Sequence, residues 1–184
     1  MAMKQQSKGR RGGGRREKPE YDQKLLSLAR VTRVVKGGRR FRFRATLVIG
    51  NRNGKVGVGV AKGNDVSDAI QKAFNDAKKN IVSVPLVNGT IAHDVYAKEG
   101  SAKVLLKPGK EGRGLIAGGA VRAVSDLLGV KDIVSKSLGS SNALNLSRAT
   151  VRAFGQLKNE PPAAKEVSTE TEAKAEAPST ESNQ

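Results

Sequence analysis

Between residues 40 and 62 the chain alternates with a period of two. Phe41, Phe43, Ala45, Leu47 and Ile49 take the odd positions, and Arg40, Arg42 and Arg44 the even ones. A strand sends alternate side chains to opposite faces, so this run has an apolar and a cationic side. Farther on, Val56, Val58 and Val60 alternate with Lys55, Gly57, Gly59 and Ala61. Asn53-Gly54 between the runs is a hairpin signal, because the favoured two-residue turn needs φ > 0 at both central positions. The expected pair has one greasy face of Phe and Val, and an opposite cationic face floored by glycine. A strand around Leu26–Val35 enters it through the Gly37-Gly38 turn.

The next pattern has a helical period. Val66, Ala69, Ile70, Ala73, Phe74 and Ala77 form one stripe from Val66 to about Asn80, with Asp65 as the cap and Lys78-Lys79 at the negative end. This stripe is predicted to cover the Phe/Val face. Past Pro85 and Asn88-Gly89, residues 90–109 read as a hairpin about Glu99-Gly100. Ile116, Ala120, Val124, Leu127 and Leu128 have helical spacing, with Gly129 as the stop. A short strand, Asp132–Leu138, precedes a last helix capped by Ser140 or Ser141 and running to about Lys158. Its buried stripe is expected to be Leu146, Ala149, Thr150, Ala153, Phe154 and Leu157. The fold class is α+β: two small two-layer domains, βββα over 21–84 and βββαβα over 85–158.

Charge narrows the function. The 184 residues carry 34 Lys+Arg against 17 Asp+Glu, with one His and no Cys. Residues 1–20 are a basic tail and 159–184 an acidic one with six glutamates; both have compositions expected to be disordered. No acid occurs between Asp22 and Asp65, whereas a merely solvated strand face normally mixes both signs. A field of this sign attracts polyanions. No apolar run is long enough to span a bilayer, no apolar leader opens the chain, and the expected location is the cytoplasm. Without cysteine there is neither a disulfide framework nor a zinc knuckle.

Catalysis has little to work with. His93 has only Asp94 as a nearby acid, no serine sits in a nucleophile elbow, and the carboxylates are scattered. "GKVGVGVAKG" lacks both the G-x-G-x-x-G spacing and the Gly-Lys-Ser/Thr ending of a phosphate loop. "GKEGRGLIAGG" brings Lys110 and Arg113 to the start of a helix, whose free N–H groups favour anions. A kinase-like use of this loop would need catalytic acids and a metal site beside it; no enzyme activity and no cofactor is expected. Phe41 and Phe43 are assigned to the greasy face, leaving no aromatic ring for base stacking. An arginine face without rings suits phosphates and the shape of folded RNA, although charge alone leaves DNA open.

The segments "RVTRVVKGGRRFRFRATLVIGNRNGKVGVGVAKGNDVSDAIQKAFNDAKKN", "EGRGLIAGGAVRAV" and "GSSNALNLSRATVRA" closely resemble the bacterial-type small-subunit ribosomal protein five family over about residues 21–158. The resemblance implies an N-terminal domain related to double-stranded-RNA-binding domains and a C-terminal domain with a left-handed β-α-β crossover. It implies a structural role: binding 16S-type rRNA, holding head against body and, with protein four, contributing to translational accuracy. Arg30, Thr32, Arg33, Lys36, Gly37 and Gly38 match the family's element near the subunit neck, where spectinomycin-resistance changes fall. Arg39, Arg40, Arg42, Arg44, Arg52, Lys55 and Lys62 complete the candidate rRNA surface. Gly112, Gly114 and Arg122 match the interface with protein four; protein eight and the mRNA entry region are further expected neighbours. The resemblance also allows a ribosome in an organelle stroma. A free double-stranded-RNA-binding module is the remaining alternative.

Overall fold

The computed structural model describes residues 20–157, so the expectations for the two tails lie outside the described residues. Its first sheet has the order β1-β2-β3-β4, with β1 Asp22–Val35, β2 Gly38–Gly50, β3 Lys55–Gly63 and a short edge strand β4 Ile81–Ser83. All its pairings are antiparallel. Helix α1, Val66–Lys79, lies between β3 and β4 in sequence. The Asp65 side chain accepts from the Val66 N–H, and Asp68 pairs with Lys72 one turn on.

The register overturns the expected faces. Ala45 stands opposite Ala61, Leu47 opposite Gly59 and Ile49 opposite Gly57. Directly opposed residues share a face, so the glycines lie with Phe43, Ala45, Leu47 and Ile49, not with the arginines. The valines lie with Thr46, Val48 and the arginines. Helix α1 therefore rests on the glycine side, where Ala69, Ala73 and Ala77 are fully buried. A Cβ on Gly57 or Gly59 would meet the backbone of α1 at Ala73 and Ala77. Alternation within each run was legible; the register between them was not.

The second sheet has the order β5-β6-β8-β7, with β5 Val95–Glu99, β6 Ala102–Pro108, β7 Leu115–Ile116 and β8 Ile133–Gly139. Strand β7 runs parallel to β8, and helix α2, Gly119–Leu128, joins them. Ile116, expected at the start of the helical stripe, belongs to β7 and is exposed. Helix α3, Ala143–Gly155, is capped by Asn142, whose side chain accepts from the Leu144 N–H, rather than by Ser140 or Ser141. Its expected stripe is buried throughout.

The side of the first sheet opposite α1 is covered by the second half of the chain. Val48, Val56, Val58 and Val84 share one apolar core with Val121, Val124, Leu127, Leu128, Ala149, Ala153 and Phe154. The layers are thus α1, first sheet, α2 with α3, and second sheet. Helix α2 is buried on nearly every side, with Arg122 outermost. The β2–β3 loop seals the junction. It is a four-residue loop with positive φ at Arg52 and Gly54, not the expected two-residue turn centred on Asn53-Gly54. Asn51 Oδ1 accepts from the Asn53 and Lys55 N–H groups and closes it. The Arg52 and Gly54 N–H groups then donate to the carbonyls of Leu127 and Leu128, each at 2.9 Å. Terminal helix carbonyls lack partners within their own helix; here they find them in the β2–β3 loop.

Candidate nucleic-acid interface

Strand β3 ends opposite Phe43, so beyond that point β1 and β2 continue as a two-stranded ribbon. It closes at Lys36-Gly37, between the paired residues Val35 and Gly38. Gly38, with φ +124°, is the residue in a conformation that L side chains rarely adopt; Gly37 is not in that region. The conformational demand thus falls on one glycine of the expected pair.

The ribbon has two unlike faces. One carries Arg33 opposite Arg40, Val31 opposite Arg42, and Arg44 flanked by Ala29 and Lys62. Arg33, Arg40, Arg42, Arg44 and Lys62 are exposed, with Val31 and Val35 partly buried as a floor. Val31, Thr32, Arg33, Val35, Arg40, Arg42 and Lys62 line a concavity of about 560 Å³. The other face carries Arg30, Thr32, Val34, Arg39 and Phe41. Here Phe41 corrects the sequence reading: it lies past the reach of α1 and is 49% exposed, while Phe43 is partly buried. The missing signal was helix length, since a stripe from Val66 to Lys79 is too short to cover the whole of β2.

Electrostatics set the ribbon apart. The ion pairs among the described residues involve Lys24, Arg52, Lys72, Lys107 and Arg152, and none involves a ribbon cation. Arg52 pairs with Asp22 at 3.1 Å. It lies with Lys55 at the far end of β2, roughly 40 Å from Gly38 at 3.3 Å per residue. The structure therefore gathers Arg30, Thr32, Arg33, Lys36, Gly37, Gly38, Arg39, Arg40, Arg42, Arg44 and Lys62, but not Arg52 and Lys55.

The expected protein interface lies elsewhere. Gly112 and Gly114 have φ of +79° and +75° in the loop before α2, and the Gly114 N–H donates to Asp132 Oδ1 at 2.7 Å. Arg122 is exposed on the first turn of α2, which has no acidic residue. A Cβ on Gly119 would meet nothing and one on Gly118 only Ser137 Oγ at 3.7 Å, so tight internal packing does not explain that glycine pair. Asp132, whose carboxylate accepts from the Gly114 N–H, is buried and committed to holding the loop. No group of three or more His, Asp or Glu among the described residues could hold a metal ion. No helix among them is long and apolar enough to cross a membrane.

Comparison with known proteins accounts for both halves. The models for "Ribosomal protein S5, N-terminal domain" and "Ribosomal protein S5, C-terminal domain" match residues 21–85 and 97–167. Among curated relatives, the chain is 53% identical over 139 residues to the small ribosomal subunit protein uS5 of Campylobacter jejuni subsp. jejuni strain 81-176. The match covers 76% of this chain and 95% of the relative. The same figures hold for the uS5 proteins of strains 81116 and RM1221. The chain belongs to the ribosomal protein S5 family, whose members are structural, non-enzymatic proteins.

Proposed function

We propose that this structural ribosomal protein grips 16S-type rRNA through its β1–β2 ribbon and braces the head of the small subunit against its body. One observation carries the reading: Arg33, Arg40, Arg42, Arg44 and Lys62 share an exposed face without a carboxylate partner among the described residues. Leaving five cations side by side is costly in mutual repulsion, and a row of phosphates relieves it. The interlocked core supplies the brace, because a ribbon rooted in a shared core transmits load to both sheets. The units 21–84 and 85–158 then work as one body with two separate contact surfaces.

The second surface is the start of α2. Arg122 places a cation near the positive end of a helix dipole with no acid in the first turn, an arrangement completed by an acidic partner. Gly112, Gly114 and Arg122 form the contact with protein four in this reading, and the adjustable ion pairs there tune decoding accuracy. Protein eight meets the C-terminal unit, the mRNA entry region lies nearby, and the site of action is the cytoplasmic ribosome.

The decisive test replaces Arg40, Arg42 and Arg44 together by glutamine in the full chain. The plot of log affinity against log salt for an rRNA fragment should flatten by about two to three units, if each arginine neutralises one phosphate. An unchanged slope refutes the phosphate reading.

A further inference from the structure

We propose that the second face of the ribbon holds one unpaired RNA base, stacked on Phe41 and flanked by Arg30; this rests on the RNA reading above. Phe41 stands opposite Thr32, and the Arg30 guanidinium lies 4.6 Å from the centroid of its ring. That contact occupies part of the ring, and about half of the residue remains open. Val34, 76% exposed, extends the apolar surface towards the turn, with Arg39 opposite it.

The occupant follows from the chemistry. Water gains nothing from an exposed phenyl ring, so a partner that covers it is favoured. A purely apolar partner would strip water from Arg30 and Arg39 without offering a counter-charge. A nucleotide offers both a flat ring for Phe41 and a phosphate for the arginines. Paired bases in a duplex are already stacked and out of reach, so the ligand is a base in a bulge, a loop or a strand end. The two faces thus divide the work: the all-cation face takes backbone phosphates, and the Phe41 face takes a base.

The experiment uses the full chain and two RNA probes, a plain stem and the same stem with one bulged 2-aminopurine. Wild type should bind the bulged stem more tightly and change the 2-aminopurine emission. Phe41→Ala should lower affinity for the bulged stem by roughly tenfold or more, the range for losing one base–aromatic stack. It should leave the plain stem within about twofold, and Phe41→Tyr should restore bulge binding; circular dichroism verifies that the exposed substitution keeps the fold. If wild type shows no preference for the bulge, or Phe41→Ala weakens both probes equally, the stacking site is wrong. Plain-stem binding that still responds to Arg40, Arg42 and Arg44→Gln would then leave the phosphate reading standing. If neither probe binds, both readings fall. If Phe41→Ala spares RNA binding but blocks association of a protein with reconstituted subunits, the face belongs to a protein partner and the proposal is overturned.

Discussion

Adding a single methyl group at Gly59 tests the helix–sheet contact directly. The Cβ of Gly59→Ala points at the backbone of α1 and would overlap the Ala73 carbonyl and the Ala77 amide. No side chain can swing aside there, because the residues facing it, Ala73 and Ala77, are themselves fully buried alanines. The helix has to rise off the sheet, and it also contacts Gly57 and Gly63. A gap of 0.5–1 Å forfeits about a quarter to a half of each dispersion contact along such a seam. Overpacking costs about 1–3 kcal/mol where side chains can adjust; with backbone on both sides the cost should reach about 3 kcal/mol or more. For a folded region of this size each kcal/mol moves Tm by roughly 3–5 °C, so a fall of about 10–15 °C is expected. Thermal unfolding followed by circular dichroism measures it. Gly37→Ala is the control: its Cβ meets nothing within 4 Å, and the variant should match or slightly exceed wild type. A Gly59→Ala protein within about 1 kcal/mol of wild type would show that the helix is not seated on the glycines.

Ser125 is fully buried in α2 and its hydroxyl has no hydrogen-bond partner among the described residues, so Ser125→Ala should raise stability by about 1 kcal/mol in a denaturant titration. Gly38→Val forces a β-branched residue to φ +124° and should cost about 1–3 kcal/mol locally, read as faster amide exchange at the ribbon tip; Gly37→Ala should leave exchange unchanged. Arg122→Leu should raise misreading in a reporter assay without lowering the yield of 30S particles, because exposed ion pairs contribute only about 0–1 kcal/mol. A reduced yield with normal fidelity would make Arg122 an assembly anchor instead.

What the sequence disclosed depended on the range of the interaction. The α1 stripe and its Asp65 cap are local, and both appear where the periodicity put them. The acid-free interval from Asp22 to Asp65 marks the ribbon's charge in the sequence itself. Pairing register is not local. Leu47 faces Gly59 because an odd number of residues, 51–55, separates the paired Gly50 and Val56, whereas an even two-residue turn at Asn53-Gly54 would have set Leu47 against Val60. Burial of Val48 and Val58 against α2 and α3 depends on residues more than sixty positions away. Exposure of Phe41 was equally hidden, because alternation assigns a face but not how far along that face the covering helix extends.

The shared core also has a consequence for synthesis. Val56 leaves the ribosome that makes it 65 positions before Val121, its partner in the core. At about 5–20 residues per second, that separation corresponds to roughly 3–13 s of elongation. Once Lys79 has emerged, α1 can close over Ala45, Leu47 and Ile49, but Val48, Val56 and Val58 on the other side still have no cover. The nascent first sheet therefore carries an apolar patch beside a row of arginines, a surface that attracts both other nascent chains and stray RNA. Slowing translation between residues 84 and 120 should therefore lower the soluble yield more than slowing it after residue 157.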